Sequence, residues 1–304
     1  MTDRARLAGI YPPLPTFFDA DEALDLDTLR HHIARLSAAG ITGFVALGSN
    51  GEAVHLDDDE RRQVIATVRA AASLDGQVLA GASALSTRAT ITLCRQAAAA
   101  GADFALILPP AYYRGRMDAA ALRGHFMAVA DASPIPIVIY NMPANAAGLD
   151  LDAELVVTLS THPNIVGLKD SSGNVAKLSQ VVAEARTDFD VLAGSASFLL
   201  PALAVGATGA IAALANIAPR ACLELLDLWH AGRLDEARAL QARLVAPNAL
   251  VTSTYGVAGL KAALQLAAHY GGEPRRPLAP LGEADRGRLR AVFAEADLLT
   301  RAGA

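Results

Sequence analysis

Short apolar runs recur along the first 220 residues, and each is followed by an alanine-rich stretch with apolar positions at helical spacing. The runs at residues 9–15, 43–47, 78–80, 104–108, 135–140, 165–169, 191–193 and 209–214 predict eight strands. Residues 25–39, 57–72, 86–100, 118–130, 152–160, 174–185, 197–205 and 219–231 predict the helices that follow them. Helix starts are legible at Asp25, Asp57, Ser86, Asp118, Asp152 and Asn174, residue types whose side chains cap free amide groups. Regular β-then-α alternation implies a parallel sheet, and eight units at this length predict an α/β fold, a closed (β/α)8 TIM barrel. The barrel is assigned to residues 1–231, and residues 232–304 read as a C-terminal helical extension of about three helices.

Composition narrows the function. At 304 residues and 53% hydrophobic, the chain can bury a large core and is not disordered. A formal charge of -5, a pI near 5.8 and scattered arginines argue against nucleic acid as a partner. Residues 191–219 carry no charge and are long enough to cross a bilayer. Ser195, Ser197, Pro201, Gly206, Gly209 and Asn216 interrupt them, so a buried helix followed by a buried parallel strand fits better than a membrane span. Cys94 and Cys222 are far apart and read as reduced, structural thiols. With charges at Asp3, Arg4 and Arg6 and no apolar leader, the expected compartment is the cytoplasm. His31 and His32 are adjacent and face different sides of a helix, so a metal site is not expected.

Lysine usage is the sharper signal. Of 26 basic residues only Lys169, Lys177 and Lys261 are lysine, which leaves 23 arginines. Arginine stays protonated, whereas a lysine buried among apolar neighbours loses its proton more readily and can attack a carbonyl. Lys169 ends the apolar run 165–168. Taken alone it fits equally a lysine paired with Asp170. The barrel shifts the balance, because barrel enzymes place their chemistry at the C-terminal ends of strands. Gly48-Ser49-Asn50-Gly51-Glu52, Tyr112-Tyr113, Tyr140-Asn141, Lys169 and Gly194-Ser195 all fall there.

An amine attacking a ketone passes through a carbinolamine to an iminium, and each stage needs proton transfer. Tyr140, one strand from Lys169, offers a hydroxyl for it; without that neighbour it reads as a core tyrosine. Ser49 and Asn50 lie in a glycine turn that can offer donors to a carboxylate, although an ordinary turn explains it as well. Glu52 is read as holding that loop rather than as a general base, and the acidic run 57–60 as a solvated helix start.

Gly48-Ser49-Asn50-Gly51-Glu52, Tyr140-Asn141-Met142-Pro143, Gly167-Leu168-Lys169-Asp170 and Leu192-Ala193-Gly194-Ser195 resemble, in order and spacing, the dihydrodipicolinate synthase and N-acetylneuraminate lyase superfamily of class I aldolases. The resemblance covers nearly the whole chain, and within it Ser49-Asn50-Gly51-Glu52, Pro143-Ala144-Asn145, residues 192–217 and Pro247-Asn248-Ala249 look most like 4-hydroxy-2-oxoglutarate aldolase. It implies a homotetramer acting on pyruvate and small 2-oxo acids without cofactor or metal. By matching position, Lys169 would form the Schiff base and Tyr140 would shuttle protons, with Ser49 relaying to Tyr113 of a neighbouring subunit. Asn50 and the backbone at Ser49 would hold the keto-acid carboxylate; the Ile211 carbonyl, Gly194 and Ser195 would line the site, and Ser171 would contact the distal part of the substrate.

The chain departs from the synthases at one place. They carry an arginine shortly after Tyr-Asn-x-Pro that grips a second carboxylate, and here Asn145 stands in that region. A neutral amide cannot supply a bidentate, charged clamp, unless Arg114 or Arg116 folds over the mouth. The leading expectation is therefore cleavage of a 4-hydroxy-2-oxo acid, most simply 4-hydroxy-2-oxoglutarate to pyruvate and glyoxylate. The alternatives are a 2-keto-3-deoxy sugar-acid aldolase or dehydratase, a 4-hydroxy-tetrahydrodipicolinate synthase, or a silent pyruvate-binding regulatory protein on the same fold.

Overall fold

The computed structural model describes residues 6–299. Eight parallel strands form one sheet: β1 (Gly9–Tyr11), β2 (Phe44–Ala46), β3 (Val78–Gly81), β4 (Phe104–Ile107), β5 (Ile137–Asn141), β6 (Ile165–Asp170), β7 (Asp190–Ala193) and β8 (Gly209–Ile211). Pairing runs β1-β8-β7-β6-β5-β4-β3-β2. A parallel bridge between Pro13 and Val45 joins the two ends, with Leu14 N donating to Val45 O at 2.9 Å and Val45 N to Pro12 O at 3.1 Å. The barrel is closed as the alternation predicts. β1 is shorter than its apolar run because Pro12, Pro13 and Pro15 have no amide to give a ladder.

Helices α1 (Leu26–Ala38), α2 (Asp58–Ala71), α3 (Thr87–Ala99), α4 (Ala119–Ala132), α5 (Ala153–Ser160), α6 (Val175–Glu184), α7 (Leu199–Ala204) and α8 (Pro219–His230) cover the outside. All six polar starts read from the sequence are N-caps whose side chains accept from the first turn. Asp57 and Glu60 complete a reciprocal capping box. Strand residues divide between two apolar layers. Tyr11, Val45, Leu79, Leu106, Val138, Val166, Leu192 and Ile211 fill the barrel interior, while their sequence neighbours pack outward against the helices.

One irregularity decides which way the key lysine points. β5 and β6 pair Ile137 with Ile165 and then Val138 with Gly167, so Val166 is an extra residue. Val166 faces the interior, Leu168 the outer layer, and Lys169 pairs with inward-facing Tyr140. Unbroken alternation from Ile165 would have put Leu168 inside and Lys169 outside. Gly167 permits the bulge: a Cβ there would lie 2.6 Å from Asp190 O on β7.

The chain continues through α9 (Leu234–Ala249), a π-helical turn (Leu250–Thr254), α10 (Gly256–Ala268) and α11 (Glu283–Glu295). α9 and α10 lie against the loops at the C-terminal ends of the strands, and α11 packs on α9 and α10. Gln241 of α9 accepts from Leu200 N at 2.8 Å and donates to Ala196 O at 2.9 Å, which ties α9 to the loop after β7. Among the described residues no helix is long and apolar enough to cross a membrane.

Candidate active site

A cavity of about 590 Å³ opens at the C-terminal ends of the strands. Ser49, Asn50, Tyr140, Lys169, Ser171, Gly194 and Ser195 all line it, so seven expected residues come together. Tyr113 and Ile211 are not on its wall. Ile211 packs inside the barrel, and Tyr113 is 71% exposed, stacked edge to face on Tyr112 with centroids 5.0 Å apart.

Lys169 is 3% and Tyr140 4% exposed, and the ammonium nitrogen lies 3.8 Å from the centre of the tyrosine ring. Burial pushes the Tyr140 phenol up. The Lys169 charge and hydrogen bonds from Ser49, Lys169 and Ser171 outweigh that and hold it below the ordinary value. The Ser49 and Tyr140 hydroxyls are 3.4 Å apart. The arrangement can therefore attack a carbonyl and pass a proton from an adjacent hydroxyl. Gly194 lets β7 approach closely, since a Cβ there would sit 2.0 Å from Ser171 Oγ.

Asp170 does not hold Lys169. It is fully buried on the other side of the strand, accepts from Asn141 Nδ2 at 2.8 Å, and pairs with Lys177 at 2.9 Å. Lys177 also pairs with Asp150, and Asn141 bonds Asp150 at 2.7 Å, so this network joins β5, β6 and α6 behind the site.

Glu52 has the loop-holding role expected of it. Its backbone is left-handed at φ 52°, uncommon for a residue with a side chain. Its buried carboxylate pairs with Lys261 of α10 at 2.8 Å and accepts from Arg275 N at 2.9 Å. The Ser49–Asn50 turn is thus anchored to the C-terminal helices. Arg114 does not reach the cavity: Nε donates to Ala147 O at 3.0 Å and Nη2 to Gly148 O at 3.5 Å, which pins the loop after β5. Arg116 is likewise off the wall, while Asn145 is on it.

Sequence reasoning missed the contribution of the extension. Asn248, Thr252, Ser253 and Gly256, at and around the π-helical turn, form one side of the cavity. The signal in the sequence was Pro247-Asn248-Ala249, one of the motifs that carry the resemblance, but it assigned Asn248 no place in the site.

A closed parallel barrel that holds a buried lysine against a tyrosine at its catalytic end is the framework of a class I aldolase, a carbon-carbon lyase. The profile of the Dihydrodipicolinate synthetase family matches residues 6–296, and the chain belongs to that family. It is 44% identical over 305 residues to the "Probable 4-hydroxy-2-oxoglutarate aldolase, mitochondrial" of Emericella nidulans, covering 99% of this chain and 98% of that one. It is also 44% identical over 289 residues to the "L-threo-3-deoxy-hexylosonate aldolase" of Hypocrea jecorina, covering 91% of each. A prophage protein of the dihydrodipicolinic acid synthase family from E. coli K12, solved in complex with pyruvate, superposes with a TM-score of 0.89 at 32% identity, covering 97% of this chain and 100% of that one.

Proposed function

We propose that this class I aldolase cleaves a 4-hydroxy-2-oxo acid, with 4-hydroxy-2-oxoglutarate, giving pyruvate and glyoxylate, as its reference substrate. The observation that carries the reading is the inward-facing Lys169 against Tyr140, with the Ser49–Asn50 turn beside them. Lys169 Nζ attacks C2, and Tyr140 supplies the proton with which the carbinolamine hydroxyl leaves as water. The iminium draws electrons from the C3–C4 bond as the Tyr140 phenolate takes the C4 hydroxyl proton, releasing the aldehyde. The enamine is protonated at C3 and hydrolysed to pyruvate. The Ser49–Asn50 turn holds the C1 carboxylate, with Ser171 toward the departing half.

In this reading Ser49 relays protons to Tyr113 of the partner subunit in a homotetramer, supported by the exposure of Tyr112 and Tyr113. The compartment is the cytoplasm, a reading supported by free, buried Cys94 and Cys222. The synthase alternative loses support because Asn145 is on the wall and Arg114 is spent on backbone carbonyls. A carboxylate left without a charged partner forfeits roughly 1.5 to 3 kcal/mol, about one to two decades in kcat/KM.

The test is a pair of assays on the purified chain: pyruvate release from 4-hydroxy-2-oxoglutarate, and condensation of pyruvate with aspartate semialdehyde. Release with little condensation is expected. Efficient condensation with no release overturns the reading in favour of the synthase.

A further inference from the structure

Asn216 sits fully buried in the loop after β8, and its side chain joins two backbone oxygens: Nδ2 lies 2.9 Å from Pro13 O and 3.1 Å from Ala213 O. A carbonyl only accepts, so the amide nitrogen must be the end that faces them, and Oδ1 the end that faces His32 of α1. His32 Nε2, 2.9 Å from that oxygen, therefore carries the ring proton. The other ring nitrogen is then an acceptor, and the Tyr270 hydroxyl donates to it at 2.8 Å. Tyr270 in turn accepts from Arg35 Nε at 2.9 Å. Each of the three neutral side chains both donates and accepts, so the chain of bonds runs in one direction, from Arg35 to the carbonyls of Pro13 and Ala213.

Those carbonyls belong to the backbone that carries the Ser49–Asn50 turn. Pro13 and Ala213 are on the cavity wall. The stretch that runs on from Pro13 holds the turn at close range: Thr16 Oγ1 donates to Gly51 O at 2.7 Å, and a Cβ on Gly51 would lie 3.1 Å from Leu14 O. A Cβ on Gly48 would lie 3.7 Å from Pro13 Cβ. His32 and Thr16 are both buried. Phe17 packs edge to face on His32 and on Tyr270, with centroids 5.5 and 5.9 Å apart, so the stretch is gripped at both ends. Burial pushes His32 down to about 3 and keeps the imidazole neutral, as its acceptor nitrogen requires.

We propose that His32, in the tautomer protonated at Nε2, and Thr16 are positioning residues for the carboxylate turn: the first fixes Pro13 through Asn216, and the second fixes Gly51 to the same stretch of backbone. The proposal rests on the reading above that the Ser49–Asn50 turn holds the C1 carboxylate. Neither side chain touches substrate. The C1 carboxylate keeps its charge through iminium and enamine formation, so donors shifted away from it lose binding equally in the ground and transition states. That loss falls on the affinity for pyruvate and not on the rate at saturation.

The experiment reads two quantities with pyruvate alone: the concentration that half-fills Lys169, by borohydride trapping, and the rate at which pyruvate methyl protons exchange for deuterium at saturation. His32→Leu and Thr16→Val are each expected to raise the half-filling concentration about ten-fold, the range of a hydrogen bond to a charged group. The saturated rate is expected to stay within about two-fold of wild type. His32→Gln, whose amide can donate to Asn216 and accept from Tyr270, is expected to restore most of the binding. Nitrogen NMR of labelled histidine, with the His32 signals identified by their loss in His32→Gln, is expected to place the proton on Nε2. If His32→Leu does not fold, Thr16→Val and the NMR decide. Wild-type half-filling in the folded variants, a His32→Gln as weak as His32→Leu, a loss confined to the saturated rate, or a proton on Nδ1 overturns the proposal. A wild type that neither traps nor exchanges pyruvate sinks the aldolase reading with it, whereas a wild type that does both, beside variants that match it, sinks the positioning alone.

Discussion

Tyr140 shows how much a single position depends on its neighbour. Its burial among apolar strand residues favours the neutral phenol, yet the Lys169 charge and three hydrogen bonds carry the balance the other way. Tyr140→Phe is expected to keep the fold and lose about 10² to 10⁴ in turnover, the usual contribution of a positioned acid-base group; kcat near wild type would reduce Tyr140 to packing. The alkaline limb of the kcat/KM profile should lie below the ordinary tyrosine value of about 10, because a phenolate has no proton for the carbinolamine. Ser49→Ala removes one bond that lowers the phenol, so the limb should move to higher pH, and an unmoved limb argues against the assignment. The lysine pattern was legible at this scale. All three lysines are buried, two of them in ion pairs with Asp170 and Glu52. What the sequence left open was whether Asp170 holds Lys169, and in the structure Asp170 pairs with Lys177 instead.

At the scale of elements, the strand-helix order and six caps were readable because local periodicity and capping chemistry act within a few residues. The bulge in β6 was not. Ile165-Val166-Gly167-Leu168-Lys169 carries the same apolar pattern with or without it, and the close approach of Asp190 O that requires a glycine at 167 comes from a strand distant in sequence. Gly167→Ala should therefore damage chemistry beyond its effect on folding. Displacing β6 by about 1 Å is expected to cost about 10²-fold in kcat, with thermal melting reporting the separate loss of stability. Wild-type kcat in a folded Gly167→Ala would show that the bulge is dispensable. The π-helical turn escaped notice for a similar reason, since helical spacing looks continuous across 234–268 and the wider turn is set by packing on the barrel.

The whole molecule carries a pH dependence that is separate from catalysis. Burial pushes His32 down to about 3 and His125 down to about 4, so both are neutral in the folded protein over most of the acid range. An unfolded histidine titrates near 6.5, so below that pH the unfolded chain binds more protons and stability falls. The loss should begin near pH 6.5 and continue toward 4, at up to about 1.4 kcal/mol per pH unit for each histidine. Urea unfolding at a series of pH values measures it, and His125→Gln should make the slope shallower. Equal slopes in the two proteins would mean that His125 is not held neutral. The tie between Glu52 and Lys261 belongs to this scale as well, because it makes the extension part of the barrel's working end.

The central claim is that Lys169 forms the covalent bond to the substrate. Borohydride added to the enzyme with pyruvate, followed by peptide mass mapping, tests it most directly. The account predicts one reduced pyruvyl adduct, on the peptide containing Lys169, and none in Lys169→Arg, which keeps the charge but not the nucleophile. An adduct on Lys177 or Lys261, or no adduct on a protein that still releases pyruvate, would contradict it.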